Sequence, residues 1–344
     1  MLPTCKTPRA VMVMAHELAR RCLPSHRSKF SRHDFTEAQL FACLCVRELL
    51  GTSYRNTEAI LRESGWGGSI GMNKVPDHNT LCRAFGRLTR GSIMNRLLDL
   101  QANWFVQLGW LGPVCGIDST YFERWHASRY YEHRCRHNSD TSRHGSTSRP
   151  RTSASVRAMP KLGIGVDTAS GVILSALAST GMGSDAPSFD GLLFHAWRRH
   201  TCRTVVADAG YDSEKNHAIA RGDMNVASII PATVGRRWKG RRRRTTGKYR
   251  LAMQKKFARD GGGVTYRQRA KVETVNSMIK RNLGSHLRSR SPRRREQEML
   301  LRVVVHNVMI LWRRYRGLRL SPRDPISAPA VGGTNAVGHS SFHF

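Results

Sequence analysis

Two short stretches decide the fold: VCGIDSTYF at residues 114–122 and CRTVVADAGYD at residues 202–212. Each carries a brief apolar run that stops at an acid, Asp118 in the first and Asp208 in the second, followed by small or polar residues. Short apolar runs with such boundaries predict buried strands. Between them, KLGIGVD (161–167) and GVILSALAST (171–180) meet at a Thr-Ala-Ser-Gly turn and predict a hairpin. SFDGLLFHAWRRH (188–200) predicts a helix, SEKNHAIARG (213–222) a short helix and VASIIPAT (226–233) a further strand. The order β, ββ, α, β, α, β, followed by helices, is that of a mixed α/β sheet flanked by helices.

Upstream, residues 33–108 read as a helical unit. Thr36 and Gln39 have capping-box spacing before EAQLFACLCVRELL (37–50), which ends at Gly51. Asn56 is placed to cap TEAILRES (57–64), which stops at Gly65, and Asp77 to cap HNTLCRAFGRL (78–88). Short capped helices joined by Gly-containing turns fit a helix-turn-helix and a plain helical bundle equally well. Residues 1–32 read as a basic leader with little periodicity, and 321–344, rich in Ser, Pro, Gly and Ala, as a disordered tail.

The chain has 344 residues, 57 Lys and Arg against 24 Asp and Glu, and a net charge of +33. That excess is too large for an ordinary metabolic enzyme and implies a polyanionic partner, by default nucleic acid. No run of 18 apolar residues and no signal-peptide h-region is present, so the expectation is a cytoplasmic, nucleoid-associated protein with no membrane partner. The eight Cys form no C-x-x-C pair and read as reduced thiols. His126, His133, Cys135, His137 and His144 cluster in a long polar stretch, but their spacing matches no structural zinc pattern, and a solvated basic loop is the better reading.

Charge concentrates toward the C-terminus. Residues 236–319 hold 27 Lys and Arg and 4 acids, +23 of the total, with RRWKGRRRR (236–244) the densest run. Two helices are expected inside this region, QRAKVETVNSMIKRNL (268–283) and EQEMLLRVVVHNVMILWRRY (296–315), the second with an apolar face at Leu300, Val303, Val304, Val308 and Leu311 that must pack on the sheet. Glu273 is the one acid between Asp260 and Glu296. On a helical wheel extended back to Tyr266, Tyr266, Arg269, Glu273 and Lys280 fall within about 60° of arc, beside an apolar stripe of Val272, Val275, Ile279 and Leu283. Taken singly, Asp118 and Asp208 are best read as caps of the turns that follow them. Joined by a lone carboxylate flanked by cations, they fit a site for a hard divalent ion and phosphate.

With those residues in place, the chain resembles a transposase of the bacterial insertion-sequence type, in the DDE superfamily with a ribonuclease-H-like catalytic domain. The resemblance is carried by Asp118 in DST, Asp208 in DAGYD, and the spaced set Tyr266-x2-Arg269-x3-Glu273-x6-Lys280, which is similar to the Y-R-E-K signature of that group. It implies a catalytic domain over 109–320, preceded by the helical region at 33–108 as a DNA-binding domain. The 65 residues from Asp208 to Glu273 leave little room for the β-rich insertion of some relatives. By this resemblance Asp118, Asp208 and Glu273 hold two Mg²⁺ or Mn²⁺ ions and catalyse DNA strand cleavage and transfer. Tyr266, Arg269 and Lys280 contact the DNA end, and Arg241, Arg242, Arg243 and Arg244 follow the duplex backbone. The partners implied are double-stranded DNA and a second copy of the chain. A noncatalytic DNA-binding element copy and a nuclease on the same fold are the alternatives.

Overall fold

The computed structural model describes residues 2–30, 32–124, 159–181, 183–233, 235–238, 241–243 and 245–315, with 235–238, 241–243 and 313–315 described by their backbone alone. The 126–144 His/Cys cluster, Arg244 and the 321–344 tail lie outside the described residues.

Five strands form the central sheet: β1 (Val114–Tyr121), β3 (Pro160–Asp167), β4 (Ile173–Thr180), β5 (Thr204–Ala207) and β6 (Ala227–Ile229), in the order β4-β3-β1-β5-β6. The expected hairpin is β3–β4, and β3 also pairs antiparallel with β1. β5 and β6 add in parallel on the other side of β1. One antiparallel strand inside an otherwise co-directional five-stranded sheet, with helices on both faces, is the ribonuclease-H-like arrangement expected from the sequence. A two-residue β2 (Glu123–Arg124) pairs with β9 (His286–Leu287), and β7 (Gly235–Trp238) pairs antiparallel with β8 (Arg241–Arg243). The hairpin β7–β8 lies within the basic run, where the charge pattern had hidden it.

The N-terminal helices are α1 (Pro8–Cys22), α2 (Glu37–Leu50), α3 (Tyr54–Ser64), α4 (His78–Leu88) and α5 (Gly91–Gln107). Thr36 and Gln39 form the expected capping box, Gly51 closes α2 in the left-handed conformation and Asp77 caps α4. The α3 cap is different: Ser53, not Asn56, accepts from a backbone N–H, so the helix starts three residues earlier than expected. The larger correction is at the start of the chain. Residues 8–22, read as part of a basic leader, form α1, whose Val11, Met12, Ala15 and Leu18 are fully buried. Its apolar face was masked by Arg9, Arg20 and Arg21 at its ends.

Two further helices follow β4 and β5, α6 (Phe189–Arg199) and α7 (Glu214–Ala218). After the basic run come α8 (Lys248–Asp260), α9 (Gly263–Arg267), α10 (Ala270–Leu283) and the long α11 (Pro292–Tyr315). Helix α11 does more than lie on the sheet with one face. From Met299 to Leu311 it is buried almost all round apart from Leu300, with β4 on one side and α1, α2 and α5 on the other. Its Arg302 is fully buried. It donates to Glu48 of α2 (2.7 Å), Glu298 (2.9 Å) and the carbonyls of Gly284 (2.6 Å) and His286 (2.7 Å). Each guanidinium nitrogen therefore has a partner, which is the condition for burying a charge. The interaction clamps the N-terminal helices to the strand-and-helix segment that follows α10. Glu48→Ala leaves the Arg302 cation one carboxylate short in a dry setting and is expected to cost about 3–5 kcal/mol. A thermal melt checks this; an unchanged melting temperature would show that the clamp contributes nothing.

Candidate active site

Parallel pairing of β1 with β5 sets Ile117 opposite Ala207, so the next residues, Asp118 and Asp208, emerge together at the same end of the sheet. Side chains alternate along β1. Gly116 and Asp118 therefore face α10, while Ser119 faces the α6 side. Gly116 has no room for a side chain, since a Cβ there would sit 2.2 Å from Val272 Cγ2. That close approach brings α10 down onto β1 and lays its next turns over Asp118. Val272, Val275, Ile279 and Leu283 are buried against the sheet, as the wheel predicted.

The result is a cleft of about 530 Å³ lined by Asp118, Ser119, Thr120, Glu273, Asn276, Ser277, Lys280 and Arg281, among others. Asp118 is partly buried, and Asn276 Nδ2 donates to its Oδ2 at 3.0 Å. Burial pushes the Asp118 carboxyl up to about 6. Asp208 adds to the rise, while Arg269 and the Asn276 hydrogen bond oppose it. Asp208 also caps the turn that follows, accepting from Gly210 N at 2.9 Å. The capping reading and the site reading thus apply to one side chain. Glu273 is half exposed across the cleft and pairs with Arg269 at 2.7 Å. Lys280, two turns further along α10, is half-buried, its ammonium 5.7 Å from the centre of the Phe122 ring, and burial lowers its pKa.

The sequence-predicted residues are therefore brought together unequally. Asp118, Glu273 and Lys280 share the cleft, Asp208 adjoins Asp118, and Arg269 bridges toward both carboxylates of the cleft. Tyr266 belongs to the short α9 rather than to α10, so the continuous wheel did not apply, yet its side chain hydrogen-bonds Arg269 close to Asp208 and Glu273, while its ring packs edge-on against Phe257 at 4.7 Å in a satellite core with Met253. Arg241, Arg242 and Arg243 form β8. Asp212, the other acid of DAGYD, is occupied elsewhere. It accepts from Arg250 Nε (2.9 Å) and NH2 (2.7 Å) and from Thr233 N (2.7 Å), fastening α8 to the sheet.

Sequence reading missed Asp185. It accepts from Ser119 Oγ at 2.8 Å and pairs with the buried Lys161. A Cβ on Gly210 would lie 3.0 Å from Asp208 Oδ1 and 3.4 Å from Asp185 Oδ2, so the two carboxylates are neighbours. Its signal was weak, since an acid two residues before Pro187 at a helix start looks like any cap. Among the described residues no three His, Cys, Asp or Glu side chains converge tightly enough to hold a metal ion unaided. Mg²⁺ does not require that: one or two carboxylates suffice when waters and substrate phosphates complete the shell. The oxygen-only donor set of the adjoining Asp118 and Asp208 carboxylates fits such an ion.

The profile of the transposase DDE domain matches residues 112–308, more than half of the chain, and the protein belongs to that family. No curated protein matches significantly. Among solved structures, the chain is similar to a pre-cleavage Mos1 transpososome (10% identity, TM-score 0.22, covering 76% of this chain and 82% of that one). It is also similar to the Mos1 strand transfer complex (10%, 0.22, 82% and 98%) and to a Mos1 mariner paired end complex with Mn (12%, 0.20, 77% and 83%). No described helix is long and apolar enough to cross a membrane.

Folding raises the Asp118 pKa from 3.8 to about 6. Between those values the native state holds more protons than the unfolded chain, so this group's contribution to stability falls as pH rises through the window. Asp118→Asn cannot ionise. In EDTA it should gain stability relative to wild type from about pH 4.5 to 7, by at most about 3 kcal/mol. Parallel melting curves for the two proteins across that range would show that Asp118 ionises freely in the fold.

Proposed function

We propose that this protein is an insertion-sequence transposase of the Y-R-E-K type, which cleaves DNA at the element's ends and joins them to a target. The observation that carries the reading is the pairing of β1 with β5. It puts Asp118 and Asp208 side by side beneath a helix that bears Glu273 and Lys280. Asp118 and Asp208, with Glu273 once released from Arg269, would hold Mg²⁺ or Mn²⁺, two ions by analogy with the family. When bound, such ions lower the pKa of an attacking water or 3′-hydroxyl and stabilise the leaving oxygen.

The chain's own residues have separable tasks. Asp118, raised toward neutrality by burial, is a poor ligand at acid pH and becomes one as it ionises. Arg269 neutralises Glu273 before DNA arrives and is then free to meet a phosphate. Lys280 and Arg281 line the cleft where the scissile strand would pass. Tyr266 would act beside the site, its ring anchored on Phe257. The hairpin β7–β8, with Arg241, Arg242 and Arg243, and with Arg244 next in the sequence, would supply sequence-independent contact to the duplex. The helices within 33–108 would recognise the ends, and two copies would pair the two ends on DNA.

Replacing Asp118, Asp208 or Glu273 with Ala should abolish Mg²⁺-dependent nicking of a terminal-repeat duplex while gel-shift binding survives. Full nicking by the Glu273→Ala protein, or nicking in EDTA by wild type, would sink the mechanism. Changing Arg241 to Arg244 to Ser should flatten the plot of log affinity against log salt by roughly 0.9 for each phosphate no longer neutralised. An unchanged slope would remove the hairpin from the DNA interface.

A further inference from the structure

Helix α10 carries one buried polar residue that the catalytic reading does not use. Asn276 lies three residues after Glu273 and four before Lys280, so all three project from one helical face and line the cleft. Asn276 is only 6% exposed, and its Nδ2 donates to Asp118 Oδ2 at 3.0 Å. Its Oδ1 is buried and has no partner. Turning the amide over would press two oxygens together whenever Asp118 is ionised, so the donor faces the carboxylate. A buried amide with one unused acceptor is costly, and it is not what a helix chooses merely to fill space against a sheet.

We propose that Asn276 is a positioning residue: it holds Asp118 Oδ2 from the Glu273 helix, fixing the rotamer of Asp118 and turning the other carboxylate oxygen to the cation. The inference rests on the divalent-ion reading of Asp118 given above. It explains why the two walls of the cleft keep register. β1 and α10 touch through apolar contact at Gly116 and Val272, which resists approach but fixes no rotation of a carboxylate two residues on. The Asn276 hydrogen bond adds that direction. Partners of this kind, one step removed from a metal, typically change metal affinity or activity by 10–100-fold when removed.

The test uses the full chain and Mn²⁺ as probe. Free Mn²⁺ is followed by electron paramagnetic resonance without DNA, alongside nicking kinetics and a metal-free melt. Asn276→Ala should weaken Mn²⁺ binding by about tenfold and lower kcat for nicking, with KM for the DNA end held within about twofold. Asn276→Asp, of equal size but without the donor, should show the same loss, and it decides the matter should the Ala variant fail to fold. The proposal is overturned if Asn276→Ala melts lower yet binds Mn²⁺ as wild type does, which marks a purely structural role. It is equally overturned if Asn276→Asp binds Mn²⁺ more tightly, which marks an oxygen ligand rather than a donor. Asp118→Ala serves as the separate control: unchanged Mn²⁺ binding there would defeat the metal reading itself, independently of Asn276.

Discussion

The contact between Gly116 and Val272 is the constraint on which the site depends. A strand and a helix normally keep a side chain's width between them. Here the missing Cβ lets α10 descend until Val272 occupies that space. Everything functional on α10 is then placed by helical geometry: Glu273 is the adjacent residue, and Asn276 and Lys280 follow at intervals of three and four. With any larger residue at 116, the helix would ride higher, and the carboxylates on the two walls would lose their common cleft.

Charge explains much of the remaining architecture. A chain of net charge +33 must keep its acids from being absorbed at random by surface cations, and most are given a defined partner. Glu48 and Glu298 neutralise Arg302 in the core, Asp212 fastens Arg250, and Asp185 meets Lys161. Asp118 and Asp208 instead face each other across the sheet's end, where the Asp208 charge adds to the rise of the Asp118 pKa, a repulsion that a divalent cation relieves. Surface pairs contribute little, whereas these buried ones cannot lose a member without stranding a charge.

The same accounting separates acids that look alike in sequence. Within DAGYD, Asp208 and Asp212 are four residues apart. Asp208 sits at the strand end, facing its counterpart on β1. Asp212, beyond a single turn, has its side chain enclosed by Arg250 and Thr233. Asp185 shows the converse: unremarkable in sequence, it arrives beside Asp208 because the loop before α6 folds back over the sheet's end.

Local sequence determined what local physics controls. The succession of strands and helices along the catalytic region, the β3–β4 hairpin, the capping box at Thr36, the Asp77 cap and the buried stripe of α10 were all legible, because alternation, helical period and cap chemistry act over a few residues. The three acids were legible as a set chiefly through resemblance to a known spacing. Tertiary structure decided the rest. It buried α1 despite its basic ends, closed α11 in on both sides, and broke the helix between Tyr266 and Glu273. It also placed Asp185 and Asn276 at the site. Those outcomes turn on which surfaces meet across long stretches of chain, as Asp185 meets Ser119 and Asn276 meets Asp118. No periodicity in a single segment encodes such meetings; they follow from burying the whole apolar surface at once.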